Sequence, residues 1–466
     1  MRHFIVLAFA FLLAGCMVGP NYVRPVVDVP AAFRYEDRDA KETANTPWWT
    51  QFQDPVLDAL IDEALANNKN VKIAVANIEQ SAALLMQARS PLFPQIGYGG
   101  SAARERSSEM GTVPLPAILP NPQTSNQVLA SASWEIDLRG RIRRLSEAAQ
   151  AQLLATEEAW HGVILSLVAS VANDYIQLLG LDEQLLVSRR TLQTYAESVK
   201  IFELRYKYGQ VSMMTVEQAR SQYETAAAAI PQIESQIAQT ENALCILLGR
   251  NPGPVRRGKT IHRLTLPAVP AALPSDVLEN RPDIRQAEQN LLAANAQIGA
   301  AKALYFPTIS LTGAFGYASS DLSNLFKGPA RVWSYAGSFT GPIFTAGAIT
   351  SQVKQAEAAR NAALYSYELS IQGAFADAEN TLVSRSKLVD QVQAQERLVR
   401  ANREYVRLAR LQFEGGYAPY STVLQAEQQL FPSELNYAQY SAALFNSLVN
   451  IYKAMGGGWQ VTTEGK

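Results

Sequence analysis

The chain has 466 residues, 48% of them hydrophobic and 18% charged, enough for more than one domain and ordinary enough to fold. Its 41 basic and 42 acidic residues leave a net charge of −1, which excludes an electrostatic nucleic-acid surface or a polybasic membrane-binding face. Any membrane contact must come from a local feature.

The first such feature is at the start. Arg2 precedes a short apolar run, Phe4 to Leu12, and then Leu13-Ala14-Gly15-Cys16. This is the layout of an export signal, and the apolar run is about half of the ~20 residues a spanning helix needs. Leu13-Ala14-Gly15-Cys16 resembles the lipobox of bacterial lipoproteins, which implies a signal over residues 1–15, acylation of Cys16 and a lipidated N-terminal segment over 16–50. Met17 stands where inner-membrane lipoproteins usually carry Asp, so the resemblance implies the outer membrane.

A helical pattern follows from about Asp54 to Ala88 and stops at Phe93-Pro94, because the residue before proline is pushed out of helical geometry. A Gly-rich strand near Ile96 and Tyr98 comes next. The segment Ser107 to Gln123, with Pro114, Pro116, Pro120 and Pro122, reads as a hairpin tip, and Val128 to Leu138 as the second strand, within a hairpin of about 95–139. In that strand Val128, Ala130, Ala132, Trp134, Ile136 and Leu138 alternate with Ser131, Ser133, Glu135 and Asp137. Arg141 to about Tyr208 contains no Pro and reads as one very long helix, closed by the turn Tyr208-Gly209-Gln210-Val211 and followed by a returning helix that Pro231 is expected to interrupt and kink. Cys245 lies in an apolar helical stretch and has no partner for an intrachain disulfide once Cys16 is set aside.

Residues 251–276 are rich in Pro and basic side chains and read as a connector wrapped around the outside. The order of elements then repeats. A helix from about Pro282 to Ala303 stops at Phe306-Pro307. Alternating strands follow at Ile309, Leu311, Phe315, Tyr317 and at Trp333, Tyr335, Phe339, in a hairpin of about 308–345 whose tip is Ser319 to Ala330. A second long helix runs from about Ile349 to Phe413, and a returning helix after Gly415-Gly416-Tyr417-Ala418 contains Pro432. Gly209, Val216 and Ala219 recur as Gly416, Val423 and Ala426, and Gly140 as Gly347, each shifted by 207 positions. Phe93-Pro94 recurs as Phe306-Pro307 at a shift of 213, so the copies differ by one small indel. Copy one spans 51–250, copy two 277–455, and 456–466 is expected to be a mobile tail.

Alternation with a period of two fits a transmembrane strand between lipid and water, and equally a soluble sheet with one buried face. The export signal and the lack of any second sheet or spare apolar helix favour the membrane. Four strands cannot close a barrel, which takes roughly eight, and an open edge in lipid leaves backbone groups without partners. Three chains contributing twelve strands would satisfy closure. Helices of some 60 residues reach roughly 90 Å, more than any compact domain. Small residues at three- and four-residue spacing, Ala148 to Ala169 and Ala356 to Gly373, offer a narrow packing seam, although Ala also reflects simple helix propensity.

Gly19-Pro20-Asn21-Tyr22, Trp48-Trp49 with Phe52 and Asp54-Pro55, Trp134-Glu135-Ile136-Asp137-Leu138, Arg281-Pro282-Asp283-Ile284 and Pro342-Ile343-Phe344 resemble, in their order and spacing over nearly the whole mature chain, the TolC family of outer-membrane factors, in its lipoprotein branch. The resemblance implies an α+β membrane protein, a homotrimer with a shared twelve-stranded β-barrel continued by a long periplasmic α-helical barrel, each chain an internal duplication. It implies a passive efflux duct that meets outer-membrane lipid, a periplasmic adaptor and an inner-membrane transporter, with no cofactor, metal or nucleic acid. Gly209, Gln210, Gly416 and Tyr417 would face the adaptor. Thr215, Gln218, Thr422 and Gln425 would line the periplasmic aperture, where relatives often place an Asp ring; this chain lacks that ring. Glu427 is nearby but on another helix face.

An enzyme is disfavoured, since only His161 and His262 remain after the signal, roughly 100 positions apart and with no metal-ligand spacing, nucleophile elbow or phosphate loop. The exit duct of a protein secretion system and a periplasmic coiled-coil adaptor are the other readings; the adaptor would need no matching lipid-facing hairpins.

Overall fold

The computed structural model describes residues 17–35, 47–108, 110, 120–270 and 274–459. In chain order the elements are α1 (Pro55–Asn67), α2 (Lys69–Arg89), β1 (Gln95–Glu105), β2 (Gln123–Ile136), α3 (Arg141–Lys207), α4 (Met213–Leu247), α5 (Pro274–Asn280), α6 (Pro282–Ala303), β3 (Thr308–Ser319), β4 (Arg331–Thr340), α7 (Ala348–Glu414) and α8 (Tyr420–Ala454). The bounds of α3 and α4 recur in α7 and α8 at a shift of 207 residues at both ends, 141 against 348 and 247 against 454. The duplication is therefore preserved to the residue in the helical arms.

The helix ends explain this regularity. After α3, Gly209 has φ +70°, its N–H reaches Tyr206 O at 2.9 Å, and Gln210 N–H reaches Arg205 O at 2.9 Å. After α7, Gly416 has φ +76°, with Gly416 N–H to Phe413 O at 3.1 Å and Tyr417 N–H to Gln412 O at 2.8 Å. Both are Schellman stops, in which a left-handed residue lets two orphan carbonyls find donors. At the other end of α3, Asp137 leaves the strand pattern and accepts from Ile142 N–H at 3.1 Å and Arg143 N–H at 2.9 Å. It caps the helix, which is why β2 ends at Ile136, short of Leu138.

The chain divides into two compact units that cut across the two copies. The first holds Asn77–Thr156, Ala287–Tyr367 and the segment through Val26, and contains one antiparallel sheet of order β1-β2-β3-β4. Beside it, Ala148 and Ala151 of α3 pack on Ala293 and Ala296 of α6, so this part of the small-residue seam lies within the chain. Much of the matching seam on α7, including Ala359 and Gly373, is exposed.

The second unit holds Val27–Ala76, Glu157–Gln286 and Glu368–Lys466. Its core gathers Trp48, Trp49, Phe52 and Ile61 with Val171, Tyr175 and Ile176 of α3, Cys245 of α4, and Val449 and Tyr452 of α8. Trp48 stacks on Tyr452 with ring centres 5.1 Å apart. Asp54 is fully buried and accepts from Val56 N–H, the Tyr175 hydroxyl at 2.8 Å and Lys259 N–H at 3.0 Å. One carboxylate thus caps α1 and fixes both α3 and the connector. The connector is more than an outer wrap: Val255, Ile261 and Leu264 join the core, and Arg257 pairs with Asp182 at 2.9 Å and with Glu241. Cys245 packs in this core, its thiol facing Gly253 O.

Three further expectations change. The first helix is broken at Asn68, whose side-chain oxygen accepts from Asn70 N–H at 2.8 Å and whose amide donates to Leu247 O at 2.7 Å, so a residue 179 positions away ends α1 and starts α2. Pro231 and Pro432 lie inside continuous helices instead of interrupting them, since a proline removes a single ladder bond that the flanking turns outweigh. Residues 456–459 are packed: Trp459 donates to Asn280 O at 2.9 Å and lies 4.3 Å from the His161 ring, so the expected mobility of the tail from Gly456 does not hold there.

Candidate functional site

Along the central register the sheet sorts most of its side chains by face, with Leu129 and Val332 left among the polar ones. Ile96 pairs with Ala132, Tyr98 with Ala130, Trp134 with Leu311, Ala130 with Phe315, Phe315 with Trp333 and Ile309 with Phe339, so all lie on one face. Gln95, Ser133, Thr312, Ser131, Ser310 and Ser338 share the other. Charged Arg104 and Arg331 occur on the apolar face only at the end near the hairpin tips. That apolar face is bare: Tyr98 is 94% exposed and Tyr335 81%. Among the described residues no strand pairs with the outer edge of β1 or β4. An exposed aromatic face with two open edges is unstable in water and completes itself in a lipid-facing barrel. The apolar stretch of α3 is long enough to cross a bilayer but more than half buried within the chain, so the strands carry the membrane face.

At the far ends of the long helices, in the second unit, the two arms meet. Phe202, Val216, Ala219, Val406, Ala409, Tyr420, Val423 and Ala426 form one small core. Phe202 lies 4.1 Å from Tyr420 and 5.9 Å from Phe413 between ring centres, and the Arg205 guanidinium sits 5.5 Å from the Phe413 ring. These contacts hold the α3–α4 and α7–α8 turns side by side. Aromatic pairs of this kind add roughly 0.5–1.5 kcal/mol each beyond their burial.

Behind this core lies a ladder of ion pairs. Arg410 meets Glu427 at 2.6 Å, and Arg403 meets Glu434 at 2.7 Å, with Arg190 of α3 adding a 3.0 Å contact to Glu434. Each pair is seven residues from the next on both helices, as an antiparallel hairpin requires. Together with Tyr195 these residues line a cavity of about 220 Å³. Glu427 is 3% exposed, and its Oε2 has no hydrogen-bond partner. Burial pushes its carboxyl above the ordinary range, against the opposing pull of Arg410.

Gly209, Gln210, Gly416 and Tyr417 are exposed at the two turns. Thr215 and Gln218 on α4, and Thr422 on α8, are half-buried, and Gln425 is exposed; each pair is three residues apart on one helix face. Val216 and Val423, next to Thr215 and Thr422, share the tip core, so both pairs flank the same cluster. Cys16 lies outside the described residues, as do Pro114 and Pro116. Sequence reasoning passed over Arg410, Arg403, Arg190 and Glu434, and left Glu427 aside. The seven-residue spacing of Arg403 with Arg410, and of Glu427 with Glu434, was the signal that could have found them.

The sequence pattern of the outer membrane efflux protein family matches residues 60–250 and 273–457, one match per copy. The chain is 38% identical over 469 residues to the solvent efflux pump outer membrane protein SrpC of Pseudomonas putida, covering 97% of this chain and 98% of that one. It is 34% identical over 459 residues to the cation efflux system protein CusC of Escherichia coli O6:H1, covering 97% of each. The open-state structure of the Neisseria gonorrhoeae MtrE outer membrane channel superposes with a TM-score of 0.86 at 32% identity, covering 95% of this chain and 99% of that one. The chain belongs to the outer membrane efflux protein family, and it is an efflux-pump channel of the outer membrane, with the TolC-type fold, and not an enzyme.

Proposed function

We propose that three copies of this chain close one twelve-stranded barrel and one helical tunnel, a passive exit duct whose transport is driven by an inner-membrane transporter through a periplasmic adaptor. The observation that carries the trimer is the four-stranded sheet with an apolar face and two open edges, β1 and β4, which one chain cannot satisfy in lipid. The exposed small-residue seam of α7 supports a neighbouring copy along the helices. In this reading the hairpin tips at 107–123 and 319–330 face outside the cell, Cys16 carries the acyl anchor (palmitate and its diacylglyceryl partner), and the turns at Gly209, Gln210, Gly416 and Tyr417 meet the adaptor. Thr215, Gln218, Thr422 and Gln425 then form an uncharged aperture. The pumps of the relatives differ in what they export, solvent for one and cations for another, which supports leaving substrate choice to the transporter.

The test is fractionation. A heat-modifiable trimer band in the outer-membrane fraction is expected, together with an acylated N-terminal peptide by mass spectrometry. Monomer bands recovered with the inner membrane would overturn the assembly.

A further inference from the structure

The segment directly downstream of Cys16 is docked along its length against the first unit. Met17 packs on Gly140, four residues beyond the last residue of β2, where φ is +77° and an added Cβ would lie 2.7 Å from the Met17 side chain. Val18 N–H donates to Arg139 O at 3.2 Å. Gly19, at φ +100°, lies flush on Gly299 of α6, with no room for a side chain on either. Asn295 donates to Pro20 O at 3.0 Å, the Tyr22 hydroxyl donates to Glu288 at 3.1 Å, and Arg24 pairs with the same carboxylate at 3.1 Å. At the centre is Arg144 of α3, 1% exposed, which donates to Val18 O at 3.3 Å, Gly19 O at 3.4 Å and Asn21 Oδ1 at 2.9 Å, and pairs with Glu147 at 2.8 Å. A buried guanidinium spends its donors where its fork fits, and here three of its contacts go to a segment 123 to 126 positions away.

We infer that residues 17–24 form a clasp, with Arg144 as its positioning residue, that ties α3 of copy one to α6 of copy two and fixes the upstream end of the chain at the foot of β2. The strands leave the bilayer at that foot, so the clasp gives the barrel and a lipid carried at the upstream end one shared membrane depth. A free linker of the same length would let the two vary independently. The statement about the lipid rests on the acylation reading above; the clasp itself does not.

Hydrogen-exchange mass spectrometry on the full-length detergent-solubilised protein tests it, with Arg144→Met and Arg144→Lys beside the wild type. Wild-type peptides covering 17–24 are expected to be protected, and Arg144→Met to exchange about tenfold faster there or more while β2 and β3 peptides keep their wild-type rates. Arg144→Lys is not expected to restore protection, because a single ammonium cannot reach three acceptors in a fork. Fast exchange of 17–24 in the wild type, or a wild-type rate in Arg144→Met, overturns the clasp. If Arg144→Met does not fold, Glu288→Gln reads the same peptides from the other end, with an intermediate rise expected and no change counting against the clasp. The mass of the N-terminal peptide in the same samples reports acylation separately: protected but unacylated chains sink the lipid reading alone.

Discussion

Arg410 and Glu427 meet at 2.6 Å across the α7–α8 hairpin, and the residues 207 positions earlier, Glu203 and Arg220, meet at 2.9 Å across the α3–α4 hairpin with the charges exchanged. The pair is thus kept in both copies while its polarity is not. The environments differ: Glu427 is buried, whereas Glu203 and Arg220 are both about half exposed. Arg410→Ala leaves a buried carboxylate without its cation and should cost about 1–3 kcal/mol, less than a fully buried pair because Arg410 itself is partly exposed. Arg220→Ala should cost no more than about 1 kcal/mol. The temperature at which the oligomer dissociates is expected to fall clearly for the first and barely for the second. Equal falls would mean that burial of Glu427 does not govern the pair.

The same carboxyl sets a pH dependence. Burial raises Glu427, and the groups around it are Arg410 and Arg403 on α7, Tyr195 and Arg190 on α3, and Tyr420 and Glu434 on α8. A carboxyl raised by folding contributes stability that is fully present below its unfolded value and is lost as pH rises through its folded value. Relative to Glu427→Gln, which keeps a partner for Arg410 without the charge, the wild type should therefore lose stability as pH rises out of the ordinary carboxylate range and through the raised value of Glu427. Thermal dissociation of both proteins across that range checks this, and a gap that widens in favour of the wild type on raising pH would contradict it.

Tyr335 and Ser334 are neighbours on β4 that point to opposite faces of the sheet, Tyr335 opposite Gly313 and Ser334 opposite Ala314. Tyr335→Arg places a charge near the middle of the apolar face, at an expected cost of about 2–4 kcal/mol, whereas Ser334→Arg on the opposite, polar face should leave assembly intact and alter conductance. Trimer yield and single-channel conductance of the two variants separate the faces. Loss of assembly in Ser334→Arg but not in Tyr335→Arg would reverse the inside and outside of the barrel.

Much of this architecture was legible because punctuation in the sequence is local. Phe93-Pro94, Gly140, Gly209 and their counterparts end elements through backbone geometry that a few residues determine, and the two-residue period of Trp134 or Tyr335 follows from the pleat. What was not legible depends on residues far apart. Asn68 breaks a helical run because Leu247 O is there to receive its amide. Arg144 looks like any basic residue near a helix start until Val18, Gly19 and Asn21 come to it. Pro231 and Pro432 carry a local signal that the surrounding helix overrides. At the tip, the two turns could be read from Gly209 and Gly416, which end their helices in left-handed geometry. The partners of Glu427 and Glu434 required the antiparallel pairing of α7 with α8.

The proposed aperture carries a prediction of its own. Thr422 and Gln425 stand one helical turn apart at the start of α8, with Thr215 and Gln218 in the matching place on α4, and none of the four carries charge. In a trimer, a ring built from these side chains offers hydrogen-bonding groups but no anionic site. Trivalent cations need several converging carboxylates to bind tightly enough to block a water-filled pore. The wild-type channel in a planar bilayer should therefore be blocked weakly or not at all from the periplasmic side. Thr422→Asp with Gln425→Asp brings six carboxylates to the ring and should lower the blocking concentration at least about tenfold, the effect falling as salt rises because the site is exposed to solvent. Tight block of the unmodified channel would place an anionic constriction elsewhere in the tunnel. Block unchanged by the double substitution would remove Thr422 and Gln425 from the pore.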